Sequence, residues 1–116
     1  MPVVVKEVRA ELERGPVLVT VEYVVARERI AEFVETMHRY ARIRRRDGAT
    51  RWGIFHDVEA GDRYLEIFLV SSWAEHLRQH ERLTQADRKL EERLHSYMVK
   101  DPEVRHLIYA PSGESD

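Results

Sequence analysis

The chain predicts an α+β domain of ferredoxin-like βαββαβ order, with an antiparallel four-stranded sheet and both helices on one of its faces. Three observations carry this expectation. Four strand-like stretches alternate with two helical ones in that order. The two middle strands are separated only by Glu59-Ala60-Gly61-Asp62, a turn that makes them a hairpin. The length of 116 residues suffices for one core and is too short to divide into two.

The first strand, 17–25, follows Gly15-Pro16 and is rich in β-branched residues with period-two alternation. One face carries Val17, Val19, Val21, Tyr23 and Val25, and the other Leu18, Thr20, Glu22 and Val24. A helix over 27–46 is predicted by an apolar stripe of Ile30, Phe33, Val34, Met37 and Ala41. Arg42, Arg44, Arg45 and Arg46 load its last turn, where cations suit the helix dipole, and Asp47-Gly48 stops it. The hairpin strands span 50–58 and 63–70; the second alternates Leu65, Ile67, Leu69 with Tyr64, Glu66, Phe68, Val70. Ser72-Trp73-Ala74-Glu75 has the form of a capping box and opens the second helix. Thr84 with Asp87 repeats that signal, so the helix is expected to break near Leu83 and restart with Leu90, Leu94 and Met98 on its inner side. Asp101-Pro102 ends it, and 104–109 forms the last strand. Residues 1–14 read as an arm or edge strand, 15–110 as the domain, and 111–116 as a disordered tail.

In this topology the first and third strands are central. Val17, Val19, Val21 and Tyr23, with Leu65, Ile67 and Leu69, are expected to meet the helices. Leu18, Val24, Tyr64, Phe68 and Val70 would then form an apolar patch on the bare face. A second copy of the chain is the simplest cover, because isologous dimers are the commonest oligomers. Glu22 and Glu66 would share that face. Two close carboxylates can share a proton or bind a cation, although pairing of each with an arginine, Arg51, Arg105 or a partner's, is the favoured reading.

Composition narrows the function classes. The formal charge of -2 offers no general attraction to nucleic acid, and the one arginine run has no interleaved aromatic platform. That run could meet anionic lipid, or simply answer Glu81, Asp87 or Glu91. The absence of cysteine removes disulfide and thiolate chemistry and favours an intracellular setting. No apolar run approaches the roughly 18 residues that cross a bilayer, and the N-terminus lacks signal-peptide form.

Several stretches resemble a known family: Gly15-Pro16-Val17-Leu18-Val19-Thr20-Val21-Glu22-Tyr23, Arg44-Arg45-Arg46-Asp47-Gly48-Ala49, Trp52-Gly53, the run from Ser72 to Arg82, Asp87-Arg88, and His106-Leu107-Ile108. Together they span almost the whole chain and are similar to the soluble C-terminal portion of bacterial major-facilitator transporters called transmembrane secretion effectors, relatives of the enterobactin exporter. The resemblance implies a dimeric α/β barrel related to antibiotic-biosynthesis monooxygenase domains, on the cytoplasmic side of a transporter's membrane part.

The same resemblance frames the candidate chemistry. In monooxygenase and haem-degrading relatives a Trp at the start of this helix and a His two turns later line a pocket, which here points to Trp73 and His80. Tyr64 or Arg51 would orient a small aromatic substrate. Haem-degrading members also use an Asn on the first strand, and this chain has no Asn. The expected sheet–helix surface is apolar, with almost no convergent polar groups, so a dry core is the expectation and Trp73 reads as core. His76 and His80 are spaced for one metal ion, but no third ligand or H-E-x-x-H pattern accompanies them, so no metal and no cofactor are expected. Two functions stay open. One is a non-catalytic dimerisation or ligand-sensing module of an exporter, which the missing Asn favours. The other is a cofactor-independent monooxygenase.

Overall fold

Alternating valines set the first strand, β1 (Val17–Val24), whose odd-numbered side chains are buried and whose even-numbered ones are only half-buried. The structure, a computed structural model, describes residues 15–79 and 84–113. After β1 come a 3-10 turn (Arg27–Arg29), α1 (Ile30–Arg46), β2 (Thr50–His56), β3 (Arg63–Val70), α2 (Trp73–Gln79), α3 (Gln85–Ser96) and β4 (Glu103–Ile108). The expected arm at 1–14 lies outside the described residues, as do 114–116.

The sheet has the order β2-β3-β1-β4, antiparallel throughout, so β1 and β3 are central as expected. The predicted ferredoxin-like arrangement is the observed one. α1 presents Phe33, Thr36, Met37, Tyr40 and Ala41 to the sheet. Its C-terminus is closed by Asp47 and Gly48, whose φ of 99° is a left-handed conformation that glycine adopts without steric penalty. The second helical stretch is divided as predicted. Ser72 Oγ accepts from the Glu75 amide at 3.1 Å to start α2. Thr84 and Asp87 form a reciprocal capping box that starts α3.

Asp87 is almost fully buried and also accepts from Arg46 at 2.8 Å. The Arg46 hydrogen bonds hold its carboxyl below the usual aspartate range, with the Thr84 backbone and hydroxyl adding to the effect. A depressed folded-state value stabilises above the unfolded value and is lost as pH falls through the folded one. Asp87→Ala should therefore lower stability by about 1–2 kcal/mol at neutral pH, and urea denaturation should show the deficit shrinking below about pH 4.

The register corrects one expectation. Val19 stands opposite Phe68, Tyr23 opposite Tyr64, and Val17 opposite Val70, so these residues share the helix-covered face. Tyr64, Phe68 and Val70 are core residues, not members of the bare face. That face instead carries Leu18, Leu69 and Leu107 in one cross-strand row, with Leu65, Ile67 and Val24 beside them. The parity of β3 was ambiguous because both of its faces are largely apolar. Glu66 made the wrong face look like the solvated one. Among the described residues no helix is long and apolar enough to cross a membrane.

Candidate functional site

Glu66 is wholly buried on the inner face of β3. Four donors converge on its carboxylate: Tyr23 hydroxyl at 2.8 Å, Arg44 Nε and Nη2 at 2.9 Å each, and Trp52 Nε1 at 2.7 Å. The Arg44 fork is bidentate, the strongest geometry for a carboxylate. Its guanidinium lies between the rings of Tyr40 and Phe68, 4.7 Å from each centroid. Burial pushes the Tyr23 phenol well above its ordinary value, and the Glu66 charge adds to that, so Tyr23 stays protonated and donates. Tyr40 is raised chiefly by burial, and it donates to Glu91 at 2.7 Å.

Local geometry explains how Trp52 reaches this cluster. The β2–β3 register slips between Thr50 and Gly53, and Arg51 takes a φ of 55° there. Such a bulge re-aims side chains, and here it directs the Trp52 indole to the carboxylate. Neither this bulge nor the burial of Arg44 was anticipated. Arg44 sits in a run of arginines that reads as a solvated helix end; Arg42, Arg45 and Arg46 are exposed as that reading requires, Arg46 paired with Asp87, and Arg44 alone turns inward. The one available signal was an arginine at a position seven residues after Met37, on the inner stripe of α1.

The expected Glu22–Glu66 pair does not exist. The two side chains project from opposite faces of the sheet, and Glu22 pairs with Arg63 at 3.2 Å. Each carboxylate does have an arginine, as the favoured reading required, but the partners are Arg63 and Arg44 rather than Arg51 or Arg105.

Between sheet and helices lies a cavity of 420 Å³, where a dry core was expected. Its apolar wall includes Val19, Val21, Phe68, Leu94, Met98 and Val104. Its polar groups are Tyr23, Tyr40, Arg44, Glu91, His76, His95 and His106. Among the described residues, α2 and α3 cover the β1–β4 half of the sheet incompletely: Val104, on the inner face of β4, is 52% exposed.

His76 and His106 meet on this wall, with Nε2 atoms 3.2 Å apart. Trp73 packs edge-on against His106 at 5.0 Å between centroids and lies partly buried against the core. The other proposed site residues are dispersed. Tyr64 stacks on His56 at 4.3 Å, away from the cavity, and Arg51 is exposed at the bulge. His80 lies outside the described residues. The pairing of His76 with His106, thirty residues apart, left no local spacing to detect.

A family model described as transmembrane secretion effector matches residues 1–113. No curated protein sequence matches the chain. Among solved structures, a protein of Caulobacter crescentus CB15 classed as an antibiotic biosynthesis monooxygenase superposes with a TM-score of 0.73 at 15% identity, over 90% of this chain and 99% of that one. The cofactor-independent oxygenase SnoaB of Streptomyces nogalater gives 0.69 at 15% identity, over 87% and 99%. A conserved protein of Methanosarcina mazei Go1 gives 0.69 at 15%, over 84% and 96%. At such identities the likeness is one of fold.

Proposed function

This chain belongs to the transmembrane secretion effector family, and from that premise we propose that it is a non-catalytic regulatory domain of a major-facilitator-type exporter, sensing a small molecule at the cytoplasmic face of the membrane. The observation that carries this reading is the 420 Å³ cavity between sheet and helices. Its size falls within the range of small-molecule sites, and it joins an apolar wall to a few fixed polar groups. Several of those groups are already engaged by protein partners: Tyr23 and Arg44 by Glu66, Tyr40 by Glu91, and His95 by Asp101. Such groups orient a ligand well and are poorly placed to exchange protons with it.

The second element of the proposal is a homodimer formed through the bare sheet face. The row of Leu18, Leu69 and Leu107 with Ile67 beside it is apolar and continuous. A second copy can cover it by two-fold symmetry, each face meeting its equivalent.

The cavity can be tested with anilinonaphthalene sulfonate, an anionic aromatic probe whose emission rises in apolar surroundings. One probe per chain should bind the folded protein. Val104→Trp fills the mouth from an edge strand without touching the core, and should weaken that binding by more than about tenfold, or about 1.4 kcal/mol, with an unchanged circular dichroism spectrum. Unaltered binding by Val104→Trp would place the probe elsewhere and remove the support for a sensing site.

One observation favours a second reading, a cofactor-independent oxygenase acting on a small aromatic substrate. The His76–His106 pair beside Trp73 faces the cavity and could accept a proton from an acidic hydroxyl. Oxygen uptake with a hydroquinone, abolished by His106→Ala, would put this reading first.

A further inference from the structure

The two imidazoles on the cavity wall are placed for a shared ion as well as for a hydrogen bond. Their Nε2 atoms are 3.2 Å apart, while the ring centroids are 5.0 Å apart and the ring planes are inclined at 57°. A straight N–H···N bond of that length, directed along both ring axes, would set the centroids about 5.4 Å apart. The shorter separation means that the bond is bent, with at least one ring axis tilted off the line between the nitrogens. Two imidazoles bound through Nε2 to one ion at about 2.0–2.1 Å, near the tetrahedral angle, have nitrogens about 3.3–3.4 Å and centroids about 5.1–5.3 Å apart. Both measured distances lie within about 0.3 Å of that arrangement.

We propose that His76 and His106 form an open two-imidazole site for a divalent first-row transition metal such as Ni²⁺, Cu²⁺ or Zn²⁺, the ions that imidazole ligands suit. The site is presented from two different elements, α2 and β4, and His76 is only 7% exposed. Binding requires both Nε2 lone pairs. The ring that carries the Nε2 proton in the hydrogen-bonded pair moves it to Nδ1 through exchange with water, so neutral imidazoles take up the ion without net proton release. Among the described residues no group of three His, Cys, Asp or Glu side chains is placed to hold a metal. The remaining coordination positions therefore fall to water or to a donor atom of a molecule in the cavity, the arrangement of an open site and not of a closed structural one. This inference is independent of the sensing proposal, since its test uses the metal alone.

The test is titration of the full chain with NiCl₂ and ZnCl₂, followed by calorimetry and native mass spectrometry. One ion per chain is expected. His76→Ala and His106→Ala should each weaken binding by more than about tenfold, while His56→Ala, whose ring contacts the Gly61 carbonyl well away from the pair, should not. Because His76 is buried and its substitution could disturb folding, Cu²⁺ electron paramagnetic resonance of the wild-type chain gives a second readout, with hyperfine structure from two equivalent imidazole nitrogens expected. No stoichiometric uptake, uptake insensitive to His106→Ala in a folded variant, or a copper spectrum with all-oxygen ligation would each overturn the proposal.

Discussion

Glu66→Ala should destabilise the domain by about 3–5 kcal/mol, because it leaves the Arg44 guanidinium buried without its counter-ion. For a domain whose whole stability is of order 5–15 kcal/mol, that is at least about a fifth of the total. Tyr23 and Trp52 would lose the acceptor of their 2.8 Å and 2.7 Å hydrogen bonds in the same step. Urea denaturation at neutral pH measures the effect. The double variant Glu66→Leu, Arg44→Met should recover much of the loss, since replacing a whole buried ion pair by apolar groups of similar size is far less costly than breaking it. A Glu66→Ala protein with an unchanged denaturation midpoint would show that the cluster contributes nothing net.

The second large effect separates the two faces of β3. Phe68→Arg should unfold the protein: it removes a buried ring, at about 3–5 kcal/mol, and sets a second cation against Arg44, now 4.7 Å from that ring. Ile67→Arg lies one residue away and on the opposite face, half-buried on the outer side of the sheet. It should leave the circular dichroism spectrum and monomer fold intact while converting a dimer to a monomer, as read by sedimentation or native mass spectrometry. Dimers that persist in a folded Ile67→Arg variant would remove the outer face as the pairing surface.

The contrast between these neighbours marks where sequence reasoning reached its limit. Element order, the hairpin, the helix break before Thr84 and the α1 stripe were legible because each depends on local pattern: period, turn residues and caps. The face of β3 was not. Its alternate residues, Leu65, Ile67, Leu69 against Tyr64, Phe68, Val70, are apolar on both sides, so alternation carried no direction. Glu66 then inverted the assignment, since a carboxylate in a strand reads as solvent-facing unless its partner is known. That partner, Arg44, is on another element and inside an arginine run that looks wholly solvated.

The candidate site was still less legible. Trp73 and His76 were noticed, but His106, which completes the cavity-wall pair, comes from the last strand and meets His76 only through the folded sheet and α2. The cavity itself depends on how completely the broken second helix covers β1 and β4, and a sequence pattern contains no information about missing volume. The sequence by itself determined the domain's class, its element order and its family resemblance, because hydrophobic period and end signals act over a few residues. Only the tertiary structure decided which face of β3 is core, which arginine neutralises Glu66, and that a cavity remains. Those outcomes depend on register and on contacts between distant elements, where each side chain's environment is set by residues dozens of positions away.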